Sequence, residues 1–188
     1  MRRESEEVFY AEGATVPVNV EDIDALKAAS RAANRRRARL CAHPNREAVL
    51  HEMIIVHPAG TYVRPHAHVG KSESIHLIEG ELDLVGFDAT GDVVGVVQMG
   101  VCASGQCFYH RIPEAYIHTF LIKQDIVFHE VTQGPFRPSD TVFPPWSPDE
   151  SDPSSVEAFL RDVRTQSDDF LKMQSGEDNV GPSSKGMV

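Results

Sequence analysis

The chain has 188 residues, enough for one domain with a real core and short for two. A formal charge of −10 argues against the basic face that general nucleic-acid affinity needs, and no run approaches the ~18 apolar residues of a membrane span. Three cysteines without zinc-type pair spacing (Cys41, Cys102 and Cys107), and a basic start with no apolar run after it, predict reduced thiols in a soluble cytoplasmic protein.

Residues 1–19 read as an N-terminal arm whose β-prone pieces, VFY and TVPV, are split by Gly13 and weakened by Pro17. The arm is expected to add an edge strand or to reach a second subunit, as in a homodimer. Residues 20–47 read as a helix and an Arg-rich lead-in. Asn19 is the expected cap, with Asp22 at the capping-box position, and Ile23, Leu26, Ala29 and Ala33 follow helical spacing to about Asn34. A strand after it places Arg37, Arg39, Cys41 and His43 on one face, either as a solvated basic surface or as an edge for an anion.

From Ala48 to about 150 the pattern is β. AVLHEMIIVH alternates, and its His51 and His57 have no partners visible by spacing, so both are read as structural or surface residues. Then come SESIHLIEG, ELDLVGFD, VVGVVQM, FYHRIP, AYIHTFLI and QDIVFHEVTQ, short and evenly spaced with turn signals between them. That pattern predicts an all-β sandwich or barrel. The proline- and aromatic-rich GPFRPSDTVFPPWSP is expected to be an ordered wrap, with Phe143 and Trp146 covering one end of the barrel. A C-terminal helix is expected over 151–173, capped by Ser154 or Ser155, and the polar remainder, 174–188, reads as a disordered tail.

The chemistry concentrates in GTYVRPHAHVGKSESIHLIEG, Gly60 to Gly80. His66 and His68 are two apart, so in a strand both imidazoles aim at one point. After the short turn VGK, Glu73 returns toward the same point, while strand parity turns His76 away. Two imidazoles and a carboxylate from two strands suit a divalent metal.

The spacing Gly60-x5-His66-x-His68-x4-Glu73-x6-Gly80 resembles the first motif of the cupin superfamily position for position. Pro113-Glu114-Ala115-Tyr116-Ile117-His118 resembles the second, with Ala115 where a glycine is usual and Ile122 where an asparagine is common. Arg37-x-Arg39 leading to His43, YVRPHAH with Lys71 before Glu73, and GPF followed by WSP look like the WbuC family of cupin-fold metalloproteins over roughly residues 20–150. The resemblance implies a single jelly-roll β-barrel, and it supplies His118 as a fourth ligand beside His66, His68 and Glu73. The cofactor expected is one divalent transition metal per chain: Fe(II) for an oxygenase, with Zn, Mn, Ni, Co or Cu as other fits to the mixed N/O donor set. Tyr116 and Glu130 are the candidate catalytic acid or base, and Arg64, Lys71, Arg37, Arg39 and His43 the candidate substrate contacts. The expected function is a metal-dependent oxygenase, or an isomerase or epimerase, acting on a small polar, anionic metabolite such as a sugar derivative. The competing reading is a non-catalytic sensor or carrier on the same barrel.

Overall fold

A computed structural model describes residues 1–176. In chain order the strands and helices are β1 (Arg2–Arg3), β2 (Val8–Tyr10), α1 (Val20–Ala32), β3 (Ala38–Cys41), β4 (Leu50–His57), β5 (Ala67–His68), β6 (Glu73–Glu79), β7 (Glu81–Phe87), β8 (Val93–Gly100), β9 (Tyr109–Ile112), β10 (Ile117–Ile122), β11 (Ile126–Gln133), β12 (Thr141–Val142) and α2 (Pro153–Ser175). Seven strands form one sheet in the order β1-β2-β3-β4-β11-β6-β9, and β10-β7-β8 form the facing sheet. This is an all-β barrel of jelly-roll type with a helix near each end of the chain, as the sequence pattern and the cupin resemblance lead one to expect. The polar tail lies outside the described residues from 177 onward, and α2 runs through Ser175, past the expected end at 173.

Alternation along the strands sends one set of side chains between the sheets. Met53, Ile55, Val63, Ile75, Leu77, Leu82, Leu84, Met99, Phe120 and Phe128 meet there as the main core. Each fully buried residue of this size contributes about 1.5–3 kcal/mol by transfer from water. The outward faces of the same strands are covered by the helices. Leu26 of α1 packs on Ala38, Leu40, Val56 and Val127, and Val163 of α2 packs on Val85, Phe87 and Leu121.

The Asp22 carboxylate accepts the Asn19 N–H at 2.9 Å, so α1 starts where the sequence places its cap. At α2 the cap is Asp152, whose carboxylate accepts the Ser155 N–H and hydroxyl, in place of Ser154 or Ser155. Pro153 explains the shift: it is favoured at the first helical position, which puts the cap one residue earlier. The arm folds back within the chain. β2 runs parallel to β3, and Glu7 accepts both Arg35 Nε at 2.7 Å and Arg35 Nη2.

Phe143 and Trp146 do not act together. Phe143 lies 6.2 Å from the His66 ring at the barrel mouth. Trp146 instead packs outside, against Phe87 and Phe159 beneath α2, with its indole N–H donated to the Ala89 carbonyl. An indole fills the gap between helix and sheet and still finds a polar partner at the edge.

Gly80 joins β6 to β7 at φ +81°, and a Cβ there would sit 2.2 Å from the Asp125 carbonyl oxygen. Only glycine fits both the backbone and the space, so the second sheet can begin directly where the first ends.

Candidate metal centre

The segment from Gly60 to His68 runs antiparallel beside β10. His66 and His118 form an isolated bridge, exchanging N–H···O bonds of 3.1 and 2.9 Å. Directly opposed residues bring their side chains to one face, and the two rings lie 4.6 Å apart. The His68 ring is 4.8 Å from His66. Glu73 arrives from the facing sheet, where it pairs with Thr132 and Ile112. The sheets thus close three imidazoles over one carboxylate. His76 is exposed on the other face of β6, against Phe108, as strand parity requires.

The turn before His118 depends on Ala115. Its φ is +58°, left-handed, and its N–H donates to the His68 carbonyl at 2.8 Å. This is the position where the related motif has glycine. The turn is kept in its glycine-like form at the expense of a strained alanine.

The hydrogen bonds of the rings set their tautomers. His66 Nδ1–H donates to the Arg64 carbonyl at 2.8 Å, and His118 Nδ1–H donates to the Tyr116 carbonyl at 3.0 Å. Thr141 of β12 holds His68 Nδ1 at 3.3 Å. With Nδ1 carrying the proton in His66 and His118, Nε2 presents a lone pair. His118 Nε2 is 2.8 Å from Glu73 Oε1, yet it is buried without an aligned hydrogen bond. His68 Nε2 is 3.3 Å from the other oxygen, Oε2. Lone pairs facing a carboxylate at this range repel unless a proton or a cation lies between them. The donor set, neutral nitrogens plus one carboxylate with the far ring nitrogens held by carbonyls or a hydroxyl, fits a divalent cation. Among the described residues no group of three or more His, Cys, Asp or Glu side chains has the spacing of a ready-made metal site. Glu73 closes onto His68 and His118 instead.

The electrostatics follow from burial and these contacts. Burial, with His118 beside it, pushes the His66 imidazole down to about 3. Burial opposes charge on His68, but Glu73 overrides it and raises the ring above its ordinary value. Burial also opposes charge on Glu73, while His118 and His68 outweigh it and hold the carboxyl well below the usual range. Glu130, on β11 facing the same point, is pushed up to about 8 by burial and by the neighbouring Glu73 charge.

Two chambers open from this centre. One of about 430 Å³ is lined by all four of His66, His68, Glu73 and His118. Another of about 340 Å³ touches only His68 and Glu73 of the four. Arg39, Glu130, Phe136 and Thr141 line both.

The residues predicted to contact substrate divide clearly. Arg64 is bonded to Asp149 at 2.6 Å and to Ser147 at 3.1 Å, with its guanidinium over the Phe143 ring. Lys71 pairs with Asp140 at 2.7 Å and also bonds the Pro135 carbonyl. Arg37 bonds Glu150. Each of these cations holds an acid or a carbonyl of the 134–150 wrap over the barrel mouth. His43 lies in the smaller chamber, stacked on His51 at 3.9 Å and fixed to the Glu52 backbone. Arg39 lines both chambers and has no hydrogen-bond or ion-pair partner among the described residues.

Tyr116 lies on the side of His118, its ring 6.5 Å away, but lines neither chamber. Its hydroxyl lies over Gly86 and Gly95, where a Cβ at Gly86 would be 1.7 Å from it. Two residues read as structural or surface do reach the chambers: His51 lines the smaller and His57 the larger. The signal for both was alternation. His51, Met53, Ile55 and His57 share one face of β4, and two of the four are plainly core residues.

Comparison with known proteins gives a match of residues 18–99 to a family described only as a domain of unknown function, DUF6016. No curated protein matches the chain. Among solved structures, oxalate decarboxylase from Bacillus subtilis aligns at 18% identity and a TM-score of 0.41, over 50% of this chain and 24% of that one. The capsular polysaccharide assembling protein CapF from Staphylococcus aureus aligns at 19% identity and a TM-score of 0.43, over 52% of this chain and 27% of that one. Protein SO0799 from Shewanella oneidensis aligns at 16% identity and a TM-score of 0.43, over 54% of this chain and 66% of that one. The chain thus spans about a quarter of the first two.

Proposed function

We propose that the chain is a metal-dependent enzyme of the cupin type, in which His66, His68, Glu73 and His118 hold one divalent transition metal. One observation carries this reading. Among the described residues, His118 Nε2 is buried and turned on the Glu73 carboxylate at 2.8 Å without an aligned hydrogen bond, while its Nδ1 is committed to a carbonyl. A cation between them takes the place of the proton that otherwise has to hold imidazole and carboxylate together in a buried site. The ordered second partners of the rings point the same way.

The larger chamber is the place for substrate, because all four donors face it. A bound metal supplies Lewis acidity at a substrate oxygen or, as Fe(II), a site for dioxygen. The chain's own residues do the rest. Glu130, buried beside the reacting centre on the chamber wall, exchanges a proton there as acid or base. Arg39 attracts an anionic metabolite. The wrap, pinned by Arg37, Arg64 and Lys71, limits water at the mouth.

The test is metal content and oxygen uptake on the purified chain. Bound iron with substrate-dependent oxygen consumption supports an oxygenase. A tightly held zinc with no oxygen uptake rules that reaction out and leaves isomerase or epimerase chemistry. Metal occupancy unchanged in both Glu73→Ala and His118→Ala would show the ligand set to be wrong.

A further inference from the structure

We infer that the larger chamber takes a small carboxylic acid with an apolar body, an aromatic or branched aliphatic acid, anchored through its carboxylate by Arg39. The inference rests on the metal-site reading only in choosing which chamber holds the reacting molecule.

Charge selects the anchor. Four arginines line the chamber: Arg35, Arg37, Arg39 and Arg64. Arg35 is taken by Glu7, Arg37 by Glu150 and Arg64 by Asp149. Arg39 alone of the four has no such partner among the described residues, and its planar fork matches a carboxylate. Glu130 shares the chamber with it but forms no ion pair with it among the described residues.

The walls select the body. Ile55, Val63, Phe120, Phe128 and Phe143 line the space beside the four donors. Apart from the histidines, Thr141 is the one uncharged polar side chain on its lining among the described residues, and its hydroxyl is engaged with His68. A polyhydroxylated sugar brings several hydroxyls, each needing a partner once it leaves water. On this lining Arg35, Arg37 and Arg64 are already paired with acids and the rings of His66 and His118 with backbone carbonyls, so few partners are left to offer. An apolar ring or branched chain meets the same walls at a gain.

His57 is the remaining polar feature. It is 6% exposed, it lines the chamber edge-on to Phe128, and its Nδ1 has no partner among the described residues. It is positioned to satisfy a single hydroxyl or carbonyl on the acid, so an acid carrying one such group is favoured over the plain acid.

Calorimetric titration of the metal-loaded full chain tests this, with 3-phenylpropanoate, 4-methylpentanoate, 3-phenylpropanamide and glucuronate as probes. Both apolar acids are expected to bind, with the amide and glucuronate weaker by about tenfold or more. Arg39→Gln should cost the acids about tenfold and leave the amide unchanged, while Arg39→Lys, which keeps charge but not the fork, falls between. Thermal melts and metal content of each variant separate lost binding from lost folding. Glucuronate binding as tightly as the apolar acids would overturn the inference. So would acid affinity unchanged in folded Arg39→Gln, or no acid binding at about 10 mM. Failure with one metal per chain present sinks this inference alone. Arg39-dependent acid binding in a chain that takes up no metal sinks the metal reading alone.

Discussion

His57→Leu isolates the energetic effect of one buried imidazole. His57 is buried among Arg37, Arg39 and Phe128, and burial, with the two guanidinium charges, pushes its pKa from 6.5 down to about 3. The native state therefore keeps the ring neutral, while the unfolded chain protonates it below pH 6.5. Stability contributed by the neutral ring is fully present above 6.5 and is lost as pH falls from there toward 3. One proton taken up on unfolding gives a slope of about 1.4 kcal/mol per pH unit in that window. At pH 4.5 the loss from this group alone reaches about 2.7 kcal/mol. Leucine removes both the titration and the unpartnered Nδ1. Urea unfolding of chelator-treated wild type and variant, from pH 7.5 to 4.5, is the assay. The variant should match or exceed wild type by about 1 kcal/mol at pH 7.5 and gain roughly 2.7 kcal/mol more by pH 4.5. A stability difference that stays constant with pH would refute the neutral buried ring.

Other substitutions probe the turn, the close approach and the wrap. Ala115→Gly relieves the left-handed backbone before His118 and should stabilise by about 0.5–1 kcal/mol, read as a rise in Tm. Gly86→Ala forces the Tyr116 hydroxyl from its seat and should cost about 1–3 kcal/mol in chemical unfolding. A double-mutant cycle on Arg64 and Asp149 should give a coupling below about 1 kcal/mol, because Asp149 is largely exposed.

The sequence exposed those parts of the site that depend on local spacing. His66 and His68 at i and i+2, the glycine between β6 and β7, and the outward parity of His76 are properties of neighbouring residues, and strand geometry decides them. The jelly roll was legible for the same reason, through alternation and turn residues. Which cations remain unpaired was not legible. Arg64 meets Asp149 across 85 positions and Arg37 meets Glu150 across 113. Nothing in local spacing distinguishes them from Arg39, which has no such partner among the described residues. His57 was lost because its neighbours in space, Arg37, Arg39 and Phe128, come from β11, from β3 and from the residue just before β3. Tyr116 shared the side of His118 as expected, but bare backbone at Gly86 and Gly95 drew its hydroxyl away along the sheet.

The claim that three imidazoles and Glu73 hold a metal is tested most directly by elemental analysis of the full chain beside three variants. The account predicts about one divalent transition metal per chain in wild type and in His76→Ala, whose ring faces away, and loss of most of it in Glu73→Ala and His118→Ala. Equal metal in all four proteins would contradict it.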